Sequence, residues 1–219
     1  DAATGREQLV LTGHVGNVWT ATFAADGKKI VSRSADLSVG VWDSTTGQSL
    51  AMFVRQSPGI EVRESPSGIG LSPDGRYLAI GYPLQTVIRD LETLKEVAIL
   101  EASNAGISNP IFSSDGQRLV TISSLKGGSL HVWDWRRGQA VFVAPSPHQL
   151  IAWSALSDDG KAVVTGGLTE PSIRLWRTSP TTQAAVEYAK QVVPRCLIPR
   201  QREEFFVPPE ITPWCFERA

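Results

Sequence analysis

Short apolar stretches alternate with polar turns at near-constant spacing along most of this chain. Four Asp-Gly pairs mark the rhythm: Asp26-Gly27, Asp74-Gly75, Asp115-Gly116 and Asp159-Gly160, about 41 to 48 residues apart. Each pair sits between two apolar runs, and Asp-Gly tolerates the positive φ of a tight hairpin. In the first repeat KKIVSRSA reads as a strand, Asp36-Leu37 as a turn and SVGVWD as the next strand; STTG turns again before QSLAMF. The third repeat gives RLVTIS, SLHVWD, WRRG and QAVFVA. The fourth gives AVVTGG and SIRLWR and then departs into TSPTTQ. The second is blurred: YLAIGY, TVIRD, LETL and KEVAIL. Four strands per unit, alternating or continuously apolar, predict an all-β chain as far as about Pro180.

The units fall at 12–54, 55–100, 101–144 and 145–179, the last without its outermost strand. Residues 1–11 align with the end of the first unit. Asp1 falls on Asp43, Thr4-Gly5 on Thr46-Gly47, and Leu9 and Leu11 on the run Leu50 to Phe53. They are therefore expected to form an outermost strand. The only Met is Met52, and the opening reads as the end of a repeat whose inner strands lie upstream in a longer protein. A second reading stays open, in which Arg6 to Leu11 complete the fourth unit.

The stretch GHVGNVWTATFAADGKKIVSRSADLSVGVWD resembles a blade of the WD-repeat β-propeller family, with Gly13-His14 before the first strand and Trp42-Asp43 closing the third. The resemblance implies a propeller of about four blades plus a stray outer strand. That is an incomplete ring, where a full one has about seven blades. It also implies a hydrogen-bonded set inside the first blade: His14, Ser32 (or Ser34), Asp36 and Trp42. A buried indole N–H, hydroxyl and imidazole each need a partner, or each costs about 1–3 kcal/mol, and linked together they fix one register. The same residue types could be taken for a catalytic triad, but no GxSxG elbow accompanies them. Elsewhere the signature is partial. Arg89 replaces the Trp in the second blade, and Pro83 stands at the Asp position. The third keeps Trp133-Asp134 with Gly127 at the Asp position and no preceding His. The fourth keeps Trp176, with Glu170 at the Asp position and His148 one residue out of register.

After Pro180 the apolar period becomes helical: Ala185, Val186, Ala189, Val192 and Val193. Residues 180–219 thus read as a helical and proline-rich C-terminal extension. Pro194-Arg195-Cys196-Leu197, Arg200 to Phe206, Pro208-Pro209-Glu210 and Trp214-Cys215 resemble a tail carried by bacterial WD-repeat proteins. That resemblance implies a cytoplasmic, multidomain bacterial parent with an upstream effector such as a caspase-like protease, a TIR domain or a STAND-type ATPase. Cys196 and Cys215 are too few for a disulfide scaffold and are expected to stay thiols in a reducing compartment.

Charge and chemistry narrow the function. Lys plus Arg number 21 against 22 for Asp plus Glu, so nothing in bulk favours nucleic acid or an anionic membrane. No apolar run approaches the ~20 residues of a membrane span. Three scattered histidines make a poor metal site, no Walker loop or HExxH occurs, and Gly68-Ile69-Gly70 is followed by Pro73 where a phosphate loop needs Gly. No cofactor, metal or catalytic set is expected. Trp135-Arg136-Arg137, read as an exposed turn, and His148 are candidate interface residues. The loops Thr12 to Asn17, Glu101 to Asn109 and Ala144 to Gln149 form the expected binding face. The leading function is a non-catalytic scaffold or sensor for protein partners. An assembly domain that mediates oligomerisation is the alternative, and a propeller hydrolase the third.

Overall fold

The computed structural model describes residues 1, 3–56, 63–101, 107–123, 129–145, 151–157, 160–167 and 171–178. These residues belong to a unit spanning Asp1–Thr178; the second unit, Ser179–Ala219, lies outside the described residues. The expected helical extension, Cys196 and Cys215 fall there.

Among the described residues all regular structure is β, in four antiparallel sheets. The first holds β1 (Val18–Phe23), β2 (Lys29–Ser34), β3 (Ser38–Asp43), β4 (Ser49–Gln56) and the short β5 (Arg63–Glu64), in that order. The second runs β6 (Gly68–Leu71), β7 (Tyr77–Gly81), β8 (Gln85–Asp90) and β9 (Glu96–Glu101). The third runs β10 (Ile107–Phe112), β11 (Leu119–Ser123), β12 (Ser129–Asp134) and β13 (Gln139–Pro145). The fourth has three strands, β14 (Ile151–Leu156), β15 (Ala162–Gly167) and β16 (Ile173–Arg177). Every strand pairs with its sequence neighbour, the meander that short hairpin turns produce.

The glycines of the Asp-Gly pairs close the same turn each time. Gly27, Gly75, Gly116 and Gly160 sit at φ of 68°, 71°, 66° and 67°, and each donates its N–H to the carbonyl three residues back. A second turn links the third and fourth strands. Asp43 Oδ1 accepts from the N–H groups of Thr45 and Thr46, and Gly47 closes the turn at φ 75°. Asp90 does the same for Glu92 and Thr93, with Leu94 at φ 61° where the first sheet has glycine. Those bonds, the Thr93 N–H foremost, hold the Asp90 carboxyl at about 2 against the opposing effect of burial; Arg76 at 2.8 Å helps.

Two features differ from the sequence expectation. Residues 3–11 form no strand, although Asp1 builds the same turn: its Oδ1 accepts from Ala3 and Thr4, and Gly5 has φ 68°. The turn is encoded locally, whereas a strand needs a neighbour's ladder, and none is offered to 6–11 among the described residues. This segment instead runs beside the Gly47 turn, where Leu9 and Leu11 approach. Second, residues 63–64, placed with the second unit, pair with β4 as Arg55↔Glu64 and Gln56↔Arg63 and so extend the first sheet.

The apolar core lies between successive sheets, in three separate clusters. Val31, Val39 and Val41 meet Leu78, Ile80, Tyr82 and Val87 between the first and second sheets. Ala79, Ile88 and Leu100 meet Phe112, Leu119, Trp133 and Trp135 between the second and third. Val120, Ile122, Leu130 and Val132 meet Val163, with Leu156 and Trp176 beside them, between the third and fourth. Alternate residues of each strand thus serve opposite seams, as the two-residue strand period requires.

Candidate functional site

In the first sheet the hairpin register sets Ser32 opposite Gly40, two residues from Trp42. The indole Nε1–H of Trp42 donates to Ser32 Oγ at 2.7 Å. His14, from the loop before β1, meets Ser32 Oγ through Nε2 at 2.7 Å and Asp36 Oδ2 through Nδ1 at 3.0 Å. With the Nδ1–H tautomer, His14 donates to the carboxylate and accepts the Ser32 hydroxyl proton, and every member of the chain has one consistent role. Of the two serines named from sequence, Ser32 is the link. Ser34 Oγ instead donates to the Gly16 carbonyl and accepts the Asp36 N–H.

Asp36 is the hub. It also accepts the Val15 N–H at 2.9 Å and the Ser38 N–H and hydroxyl. Burial would raise its pKa, but the Ser38 hydroxyl, the Val15 and Ser38 amides and His14 together hold the carboxyl well below the usual carboxylate range. Gly40 allows the arrangement. A Cβ there would lie 2.8 Å from Trp42 Nε1, so the indole lies flat across a residue without a side chain. The loop bearing Gly13 and His14 covers the other side of the ring, with His14 edge-on at 5.6 Å.

Ser32, His14 and Asp36 are ordered as in a hydrolytic triad, but the geometry opposes catalysis. Ser32 is 3% exposed, and its hydroxyl oxygen already accepts an indole proton. A nucleophile needs reach to a substrate, which a buried hydroxyl held by the indole and the imidazole lacks.

The other sheets hold this position differently. Trp133 Nε1 donates to Thr121 Oγ1 at 2.8 Å, and Trp176 Nε1 to Thr165 Oγ1 at 2.9 Å, so the indole-to-hydroxyl bond recurs with Thr for Ser. The third sheet also has an imidazole that sequence reasoning missed. His131, at the register position of Gly40, stacks on Trp133 at 5.3 Å with an 11° interplanar angle and meets Ser129 Oγ through Nε2 at 2.6 Å. A search for a His in the preceding loop overlooks one supplied by the strand itself. The signal was present in SLHVWD: a His two residues before Trp, on the same strand face. In the second sheet Arg89 takes the indole's place. Its guanidinium lies 4.4 Å from the Phe53 ring of the first sheet and 3.4 Å from Glu96. Tyr82, buried nearby, is pushed up to about 12, chiefly by burial.

Of the candidate interface residues, Trp135 requires correction. It is 3% exposed, packs edge-on against Tyr77 at 4.8 Å and Phe112 at 5.8 Å, and donates to the Gly116 carbonyl. The turn is at the surface, but its first side chain points back into the seam. Arg136 lies over Trp135 at 4.2 Å and also donates to Gly116 O, while Arg137 is exposed beside Asp134. Asp134 accepts from Arg118 as well and anchors the turn. His148, Gly127 and Glu170 lie outside the described residues.

One aromatic was overlooked at the surface. Trp19, at a bulge in β1, is 50% exposed, and the Arg33 guanidinium lies 4.6 Å over its ring. Arg33 is held by the Pro66 carbonyl at 3.0 Å, and burial lowers its pKa. Val15, in the loop before β1, is 93% exposed. Among the described residues no group of three or more His, Cys, Asp or Glu could hold a metal, and no helix is long and apolar enough to cross a membrane.

Comparisons with known proteins agree with this architecture. Residues 5–43 match the family model for the WD40 family, described as WD domain, G-beta repeat. The chain is 26% identical over 176 residues to the serine-threonine kinase receptor-associated protein of Gallus gallus, covering 79% of this chain and 46% of that one. It is 30% identical over 128 residues to telomerase protein component 1 of Rattus norvegicus, covering 57% of this chain and 5% of that one. The chain thus spans less than half the length of either relative. The solved structures of U3-55K and of the RRP9 WD40 repeats superpose with TM-scores of 0.65 and 0.66 at 24% identity, each over 78% of this chain and 51% of theirs. At that identity they speak to the fold. Four meandering sheets and the repeated turns give the described residues the fold of a WD40-type β-propeller fragment, and residues 5–43 match its G-beta repeat.

Proposed function

We propose that this chain is a non-catalytic scaffold that binds protein partners through the loops entering its innermost strands. The observation that carries the reading is the half-exposed Trp19 under Arg33, with Val15 exposed on the loop before it. Trp and Arg are the residues most enriched among binding hot spots, and a stacked pair loses little rotamer freedom on binding. The sheets supply the rigid base that such loops need. In the larger reading the propeller senses a partner for an effector domain of a cytoplasmic bacterial signalling protein. The tail from Pro194 to Cys215 supports that context by resemblance. The near-balanced charge favours protein over nucleic acid or membrane.

Selection of a random peptide display library on the immobilised chain tests the reading. Enriched peptides should lose at least tenfold in affinity to a Trp19→Ala, Arg33→Ala variant and keep it for Arg137→Ala. Enrichment that ignores the double variant would refute this face as the binding surface.

A second reading, an assembly domain, is favoured by a different observation. Ile173 and Leu175 of β16 are 70% and 62% exposed, and Phe23 of β1 is 63% exposed. Apolar residues of this kind on terminal sheets favour self-association. Sedimentation velocity distinguishes the readings: a concentration-dependent oligomer abolished by Ile173→Lys, Leu175→Lys supports assembly, and a monomer throughout supports the scaffold.

A further inference from the structure

The seam between the second and third sheets holds two buried polar atoms without hydrogen-bond partners among the described residues: Nδ1 of His131 and Oγ1 of Thr86. They belong to facing surfaces. Thr86 shares a face of β8 with Ile88, two residues on, and His131 shares a face of β12 with Trp133; Ile88 and Trp133 both belong to the cluster that fills this seam. His131 is 7% exposed, and its Nε2 is engaged by Ser129 Oγ.

We propose that His131 is a proton-sensitive lock on this seam, closed while the imidazole is neutral and released when it is protonated. The surroundings of the ring set this behaviour. From its own sheet the neighbours on that face are Leu119, Thr121, Ser129 and Trp133; from the second sheet they are Ala79, Thr86, Ile88, Ala98 and Leu100. No carboxylate is among them. The titratable groups at the seam's end, where Trp135 packs, are Tyr77 and its buried register partner Asp90; Arg76 pairs with Asp90 at 2.8 Å, and the guanidinium groups of Arg76 and Arg136 lie over the Tyr77 ring at 5.3 and 5.7 Å. An imidazolium here would therefore be buried with hydroxyls and a π-face as its partners among the described residues, while the Asp90 carboxylate at the seam's end is already paired with Arg76. His14 is the contrast: its Nδ1 has the Asp36 carboxylate at 3.0 Å.

Neutral His131 needs one donor or acceptor role at each nitrogen. Nε2 accepts the Ser129 hydroxyl proton, which leaves the ring proton on Nδ1, the nitrogen without a partner among the described residues. Protonation turns Nε2 into a donor and forces the Ser129 hydroxyl to reverse, while adding a charge that the apolar seam does not solvate. Burial accordingly lowers the His131 pKa. The sign follows. Below about 6.5, the ordinary histidine value, the unfolded or opened chain binds a proton that the closed seam refuses, so closure weakens as the pH falls, up to tenfold per pH unit, until the folded pKa is reached. Above that window the lock is fully closed.

The test is urea denaturation of the whole chain between pH 7.5 and 5.0, for wild type and His131→Gln, with histidine side-chain NMR on the wild type. The wild type should lose folding equilibrium faster with acid than the variant, by up to tenfold per pH unit below 6.5. The His131 ring should stay neutral at a pH where an ordinary imidazole is largely charged. Amide protection factors in β8 and β12 should fall at acid pH ahead of those in β2 and β3. Identical pH slopes for the two proteins would overturn the proposal. If His131→Gln does not fold, the wild-type ring decides it: a His131 pKa of 6.5 or higher refutes the lock.

Discussion

The first and third sheets both bury a tryptophan at the same register position, and they cover it by opposite means. Trp42 is closed over by the sheet's own entry loop, through Gly13 and His14, and the cover is fastened by Asp36. Trp133 is covered by the neighbouring second sheet, through Ile88, Leu100 and the aromatic cluster at Trp135. In the first the imidazole arrives from the loop and finds a carboxylate; in the third it arrives from the strand and finds none. A polar network and an apolar neighbour can therefore fill the same place. The network is directional and fixes one register, while the apolar seam tolerates exchange of its members.

Six substitutions test that contrast, grouped in descending order of effect. Trp42→Ala and Trp133→Ala should each cost about 3–5 kcal/mol, the range for emptying a buried aromatic site, whereas the partly exposed Trp176→Ala should cost about half as much. Urea denaturation read by circular dichroism measures all three. Equal costs for Trp42 and Trp176 would show that the first-sheet network adds nothing.

Asp36→Ala comes next, at about 3 kcal/mol, because it strands the Val15 and Ser38 amides and the His14 Nδ1–H at once. It also carries a pH signature. The folded carboxyl titrates below its unfolded value, so its stabilisation is complete above about pH 4 and is lost as the pH falls through the folded pKa. Wild type should therefore converge on Asp36→Ala in stability as acid is added. A constant gap down to pH 2 would contradict the assigned hydrogen bonds.

Gly40→Ala should cost about 2 kcal/mol, since the new methyl must displace the Trp42 indole from Ser32. The same register position in the third sheet holds the imidazole of His131, which makes this the sharpest single test of the difference. A neutral Gly40→Ala would mean that Trp42 can stack as Trp133 does. Leu94→Gly has the smallest expected effect, a gain of about 0.5 kcal/mol. It relieves a left-handed residue at the turn where Gly47 and Gly138 sit, against a more flexible unfolded chain.

The strands and turns were legible in the sequence because they are local. Asp-Gly pairs, strand alternation and Trp-Asp endings each act within a few residues. So was the His14, Ser32, Asp36 and Trp42 set, whose geometry the contacts now supply. What the sequence did not reveal depends on distant partners. Trp135 sits in a turn by sequence, and its burial is decided by Tyr77 and Phe112 on other strands. Arg89 reads as a lost Trp until Phe53 and Glu96 are seen beside it. The Arg6 to Leu11 segment has a strand's composition, but composition does not supply an edge to pair with.

The separation of the core into three clusters has a consequence for how this sequence can change over time. Each cluster joins only two adjacent sheets, so a substitution in one seam is felt by that seam's two members and hardly beyond. Selection can then act on each seam as an independent trait. An ancestral repeat unit can lose its loop histidine in one copy, exchange its tryptophan for arginine in another and keep both in a third, without any copy waiting on the others. The four sheets are alike in backbone and unlike in what fastens them, as that independence allows.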